Sequence, residues 1–211
     1  MKYVLIVLFF SSFLSFAQGS QKKIFNIQKI GFLYNNAFSN NFIFNDKDFT
    51  YTTSTFKIQA FYNLGTWKSL DFELIAQPQY QVLKHQLINK YFVLPSEHNY
   101  QVKIKEFTTP KTMHLYAFEL GFVIKKALAK KLDFLVTIGL GLASIDTRSE
   151  RLAKGFTFIE NGSLGFSYKI SNKTLLYLGS NIGHVSNLDF QMTNAGFSVI
   201  GFEAGISSVI K

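Results

Sequence analysis

The sequence predicts an all-β fold, a closed antiparallel barrel of eight strands, and three observations predict it. Apolar and polar residues alternate with period 2 in segment after segment. The alternating segments run about ten residues or more, the length that crosses a bilayer at the tilt of a barrel strand. The links between them alternate short and long. A soluble sandwich shares the first feature. The other two single out a membrane barrel, with tight turns on one side and long loops on the other.

Export is read from the first residues. Lys2 is a short positive region, Tyr3 to Phe16 is apolar, and Ser15-Phe16-Ala17 fits the small-x-small rule for cleavage. Residues 1–17 are expected to be a removed signal peptide and residues 18–211 the barrel domain. The apolar stretch is short for a spanning helix, which needs about 20 residues. No later segment is a continuous apolar run of that length. A mature chain resident in a membrane must then be a closed barrel, because lipid offers no partner to an open strand edge. The location this implies is the bacterial outer membrane.

The strands are expected at 25–37, 51–64, 69–83, 112–125, 132–145, 155–170, 174–187 and 197–211. The first has the least regular alternation. The second carries Phe56, Ile58, Ala60, Tyr62 and Leu64 on one face, with Lys57, Gln59 and Asn63 opposite. In the third, Leu70, Phe72, Leu74, Ala76, Tyr80 and Val82 oppose Asp71, Glu73, Gln77, Gln79 and Gln81. Pro78 interrupts that strand and removes a ladder bond, so a bulge is expected there. The fourth places Tyr116, Phe118, Leu120, Phe122 and Ile124 opposite Glu119 and Gly121, and the fifth places Phe134, Val136, Ile138, Leu140 and Leu142 opposite Asp133, Thr137, Gly139 and Gly141. In the last three strands the even positions are again apolar: Phe156, Phe158, Leu164 and Phe166, then Leu176, Leu178 and Ile182, then Ile200, Phe202 and Ile206. The even face is therefore the lipid face.

Short links are expected at 65–68, 126–131 and 171–173, and the longest long link at 84–111. This puts both termini on the periplasmic side. A narrow solute pore is disfavoured, because eight strands enclose a space that side chains fill.

Composition agrees. Of 211 residues 24 are Phe and 10 are Tyr, against 3 Met and 1 Trp, and aromatics suit a pleated, half-buried surface. There is no cysteine, hence neither a disulfide frame nor an acylated lipoprotein thiol. The formal net charge is +9, but the basic residues are spread along the chain and no nucleic-acid motif accompanies them. Nucleic acid is not an expected partner. The surplus suits anionic neighbours, lipopolysaccharide phosphates among them.

Phosphate loops, paired-cysteine zinc sites and the glycine-rich dinucleotide fingerprint are absent, so no metal or cofactor is expected. His85 and His98 fall in or near the 84–111 link and are expected to be solvated. His114 stands on an apolar face near a rim, a place suited to the membrane interface. The hairpin at residues 183–198 carries the chemistry. His184 and Ser186 are two apart on a strand, so they share a face. That face points to lipid, at the outer end of the seventh strand, just before a long loop. A His beside a Ser hydroxyl can act as general base and make it a nucleophile.

This hairpin resembles the lipid A 3-O-deacylase family, outer-membrane barrels that remove an ester-linked acyl chain from lipopolysaccharide. The family pattern is His-x-Ser-Asn, then Asn-x-Gly, then an acidic residue two positions on. His184, Ser186, Asn187, Asn194 and Gly196 match it without a gap. The resemblance implies a serine esterase acting on lipid A at the outer leaflet, with Ser186 as nucleophile and His184 as base. It implies Asn187 as oxyanion donor, and Asn194, Gly196 and position 198 as support. The chain departs from the pattern at Ser198, which stands where the family has its acid.

Glu203 is on the wrong face to replace that acid. Glu160 is on the right one, among lipid-facing aromatics. If Ser171-Asn172-Lys173 is a three-residue turn, Ile170 pairs with Thr174, and counting back sets Glu160 across from His184. Cross-strand neighbours stand about 5 Å apart, so Glu160 is expected to supply the acid. A bulge at Glu160-Asn161-Gly162 would instead turn it inward. The rival expectation is a structural, adhesion or lipid A-binding barrel without catalysis. A carboxylate in reach of His184 separates the two.

Overall fold

The computed structural model describes residues 26–210 apart from Phe42 and Asn45. The expected signal peptide, 1–17, lies outside the described residues. Eight strands pair antiparallel in chain order: β1 (Ile27–Phe38), β2 (Phe49–Trp67), β3 (Leu70–Leu87), β4 (Lys111–Ala129), β5 (Leu132–Ile145), β6 (Gly155–Lys169), β7 (Thr174–Ser186) and β8 (Phe197–Val209). β8 returns to β1, so the sheet closes into a barrel without an edge. The first strand begins and the last one ends at the same rim, with the short turns.

Several strands are longer than the sequence suggested. Trp67 pairs with Leu70 and Ala129 with Leu132, so the first two short links shrink to Lys68-Ser69 and Lys130-Lys131. The register slips by one between Asn63 and Gly65 and again between Ala127 and Ala129. Each slip absorbs a residue that alternation alone would assign to a turn. Pro78 behaves in the opposite way and causes no bulge. Lys57 pairs with Gln79 and Ala60 with Ala76 in one unbroken register, while Ile58 and Gln59 drop out of the ladder. A missing N–H removes hydrogen bonds without requiring an extra residue. The Gln59 amide donates to the Gln77 side-chain oxygen at 2.7 Å and spans the gap from inside.

The even face is the outer face, with Ile58, Leu178 and Phe202 well exposed. The odd face fills the lumen in layers. Near the long loops the layer is apolar, built from Phe49, Tyr51, Leu83, Met113, Ile145 and Phe197 among others. A helix not foreseen from the sequence, α1 (Tyr100–Thr108), caps this layer from the β3–β4 link. Tyr100, Ile104 and Phe107 recur at helical spacing and pack onto it. Arg148 donates to both carboxylate oxygens of Glu106 on this helix, and the contact holds the Glu106 carboxyl below the usual carboxylate range.

The middle layer is polar and centred on Glu119, which is 1 % exposed. Its carboxylate accepts from Lys57 Nζ at 3.0 Å, from Gln77 and Gln79 at 2.9 Å each, and from Asn161 at 2.7 Å. Gly139 makes the room: a Cβ there would stand 2.1 Å from Glu119 Oε1. Below lie Phe61, Ile75, Val123 and Leu135, then a Lys29–Glu73 pair at 2.8 Å. The filled lumen leaves no support for a pore.

Replacing Glu119 by Leu strands the buried Lys57 ammonium. Breaking a buried pair in this way costs about 3–5 kcal/mol. Urea unfolding of the refolded barrel in detergent, followed through Trp67 fluorescence, is expected to show a loss of that size, with a smaller loss for Glu119→Gln.

Candidate active site

His184 and Ser186 end β7 at the rim that carries the long loops. Their neighbours follow from register: Glu160 on β6 and Ser198 on β8 lie directly across from His184, and Phe158 on β6 lies across from Ser186. His184 Nδ1 is 2.8 Å from Ser198 Oγ. When the hydroxyl accepts from Nδ1–H, Nε2 is left without a proton, which is the tautomer a general base needs. Ser198 thus makes the orienting hydrogen bond of the missing acid without its charge.

Glu160 is exposed on the outer face, and the β6–β7 register is continuous through Asn161 and Gly162, with no bulge. The Ile170 N–H donates to the Thr174 carbonyl at 3.0 Å, closing the three-residue turn. Among the described residues no ion pair joins Glu160 to His184 within 4.0 Å. The backbone sets the carboxylate opposite the imidazole; the two side chains are not engaged. Glu203 points into the lumen, where the Tyr177 hydroxyl donates to it at 3.2 Å.

Ser186 is buried, and its carbonyl accepts from Thr157 Oγ1 at 2.6 Å. Among the described residues no hydrogen bond joins its hydroxyl to His184. Such contacts commonly tighten only around bound substrate. An aromatic wall stands beside it: the Phe158 ring lies 4.9 Å from Phe156 and 6.0 Å from Phe190. Phe190 comes from the loop after β7, where alternation gives no clue to its place.

Asn187 departs from its expected role. It follows Ser186 by one, faces inward and is fully buried. Its two amide hydrogens go to the carbonyls of Gln191 at 3.0 Å and Thr193 at 3.2 Å. Its own N–H donates to Asn194 Oδ1 at 2.7 Å, and the Asn194 amide donates to Asp189 at 3.1 Å. The two asparagines frame the loop, and in this arrangement the Asn187 amide has no hydrogen left for an oxyanion. Gly196 has φ +61, and a Cβ on it would stand 2.6 Å from the Val185 carbonyl and 3.1 Å from His184 Cε1 and Nε2. Only glycine fits there, and its main chain forms a shelf along the imidazole edge.

His85 is buried, not solvated. Its Nδ1 is 2.9 Å from the Thr50 carbonyl and its Nε2 is 2.7 Å from Glu150 Oε2. β3 runs on to Leu87, and an odd position on it points inward; that parity was the available clue. His98 is exposed, and His114 meets the Tyr80 hydroxyl at 2.7 Å on the outer face. No group of residues suited to a metal ion occurs among the described residues.

The sequence profile of the lipid A 3-O-deacylase (PagL) family matches residues 48–207. No curated protein sequence matches the chain. Among solved structures it is similar to the crystal structure of the outer membrane enzyme PagL, at 11% identity and a TM-score of 0.52, over 84% of this chain and 97% of that one. It is also similar to the crystal structure of Neisserial surface protein A (NspA), at 13% identity and a TM-score of 0.46, over 86% and 95%. The likeness to PagL agrees with the fold, and the profile runs from the start of β2 to near the end of β8, the His184–Ser186 hairpin included. The chain belongs to the lipid A 3-O-deacylase (PagL) family and is an eight-stranded barrel of the outer membrane.

Proposed function

We propose that this barrel hydrolyses an ester-linked acyl chain of lipopolysaccharide at the level of the outer leaflet. The observation that carries the reading is the placement of His184. Its Nδ1 is held by Ser198, its other edge is lined by Gly196, and it shares the lipid-facing rim with Ser186. Nε2 takes the Ser186 proton as Oγ attacks the ester carbonyl. The tetrahedral intermediate collapses to an acyl-enzyme, and the departing sugar alkoxide takes the proton from the imidazolium. Water, deprotonated by the same nitrogen, then attacks the acyl carbonyl and releases the fatty acid with Ser186 restored. Stabilising the oxyanion falls to the loop that Asn187 and Asn194 frame, rather than to the Asn187 amide. The wall of Phe156, Phe158 and Phe190 suits the acyl chain. No step requires a metal or a cofactor.

The imidazolium needs a counter-charge, and Glu160 is the carboxylate placed to give it from β6 after a side-chain rotation. The open distance between Glu160 and His184 favours one rival, a barrel that binds lipid A without cleaving it.

Incubating the refolded barrel with lipopolysaccharide and weighing the lipid A by mass spectrometry decides between them. Loss of one ester-linked acyl chain, absent with Ser186→Ala, is the expected result. An unchanged mass with folded protein leaves the binding barrel. In an active protein, Glu160→Gln is expected to lower kcat about 10²-fold, the scale of losing one preorganised charge contact, and Ser198→Glu to raise kcat. A Glu160→Gln variant as fast as the parent would remove Glu160 from the mechanism.

A further inference from the structure

The shelf beside His184 is held by one residue from another loop. Gly196 donates its N–H to the Arg151 carbonyl at 3.1 Å and accepts from Arg151 Nε at its own carbonyl. A terminal guanidinium nitrogen of Arg151 donates to the Ala195 carbonyl at 3.2 Å, and the Ala195 N–H donates back to the Arg151 carbonyl at 2.8 Å. A bridge between Leu152 and Asn194 continues the seam. Both main-chain polar groups of the residue lining the imidazole therefore belong to Arg151, 45 positions earlier in sequence.

We propose that Arg151 is a positioning residue of the active site: its guanidinium fixes the Gly196 main chain, and Gly196 fixes the imidazole edge that must reach Ser186. The proposal rests on the deacylase reading of that site. A guanidinium commonly seeks a carboxylate, yet Arg151 has none within 4.0 Å among the described residues. Its donors go to two successive carbonyls of the catalytic hairpin, as charge-assisted hydrogen bonds in a fixed fork.

Arg151 is itself anchored to the barrel. Its guanidinium lies 4.5 Å over the Phe49 ring. The residue before it, Glu150, is buried against His85 at 2.7 Å. Glu150 Oε1 is the one buried side-chain polar atom without a partner among the described residues, so His85 is its sole tether. The His85 ring stacks on Tyr51 at 4.1 Å, and Tyr51 stacks on Phe197, the neighbour of Gly196, at 4.0 Å. Continuous contact thus runs from β3 through Glu150 and Arg151 to the base. A base displaced by about 1 Å can lose 10²-fold in rate, which makes so elaborate a hold on one glycine intelligible.

The test uses Arg151→Gln and Arg151→Lys in the full barrel, refolded in detergent with lipopolysaccharide as substrate. Folding is checked by heat-modifiable gel migration. The His184 ring nitrogens are followed by NMR of histidine-labelled protein, assigned against His184→Gln. The expected result for Arg151→Gln is a folded barrel with kcat down about 10²-fold, KM little changed, and displaced His184 ring signals. Arg151→Lys should recover part of both effects. Unchanged ring signals and kcat in folded Arg151→Gln would overturn the proposal, as would equal losses with Lys and Gln. If the parent barrel shows no deacylation, the deacylase reading fails alone, and the His184 ring signals still decide the role of Arg151.

Discussion

The structure depends on one constraint: inside hydrocarbon, every backbone N–H and C=O must find its partner within the protein. A sheet meets it only by closing on itself, and here β8 meets β1 over ten consecutive pairs, from Lys29–Val209 to Phe38–Ile200. The seam is tight. A Cβ at Gly201 would stand 1.9 Å from the Asn36 carbonyl oxygen, so this glycine lets the closing strands approach. Closure also fixes inside and outside for every residue, because side chains alternate strictly along a strand. Lys57, Gln59, Glu73, Gln77, Gln79 and Glu119, at odd positions of β2, β3 and β4, then have no choice but the lumen.

A lumen of eight strands is too narrow to be wet throughout, so those polar groups must satisfy one another. Glu119 does this with four donors from three other strands. Such a buried centre adds little net stability compared with a well-packed apolar core, but it penalises any register that leaves one member unpaired. Apolar burial is concentrated instead beneath the long loops, where α1 and the upper ends of the strands form the largest core cluster. The rim that carries His184 and Ser186 therefore rests on the largest apolar core cluster of the barrel.

Much of this was legible in the sequence, for a physical reason. Alternation is a local consequence of the pleat, so it disclosed the faces and placed Glu119 and Glu203 inside, with Glu160, His184 and Ser186 outside. The turn at Ser171-Asn172-Lys173 carried the register up the β6–β7 hairpin to Glu160 and His184. What remained hidden is what the pleat does not encode. The slips near Gly65 and Ala127 lengthened strands past their apparent ends. Pro78 was tolerated by skipping ladder bonds. Asn187 turned its amide to its own loop. His85 and Arg151 find partners where loops meet across the top of the barrel, with no periodicity to announce the contact.

That meeting of loops has a chemical logic. On the lipid-facing rim His184 is half-buried and Ser186 buried, with the rings of Phe156, Phe158 and Phe190 as a wall beside them. The ten residues between β7 and β8, the left-handed Gly196 among them, are framed from within by the Asn187 and Asn194 side chains. The β5–β6 loop braces them from outside through Arg151, and the buried His85–Glu150 pair ties that loop to the barrel. Ser198 shows the same division of labour at the imidazole. It orients Nδ1 as an acid would, and it is neutral, so it avoids placing a carboxylate between two strands at the membrane rim. On the reading proposed above, the counter-charge comes from Glu160 on β6, and orientation and charge, combined in one carboxylate by the family pattern, fall to separate strands.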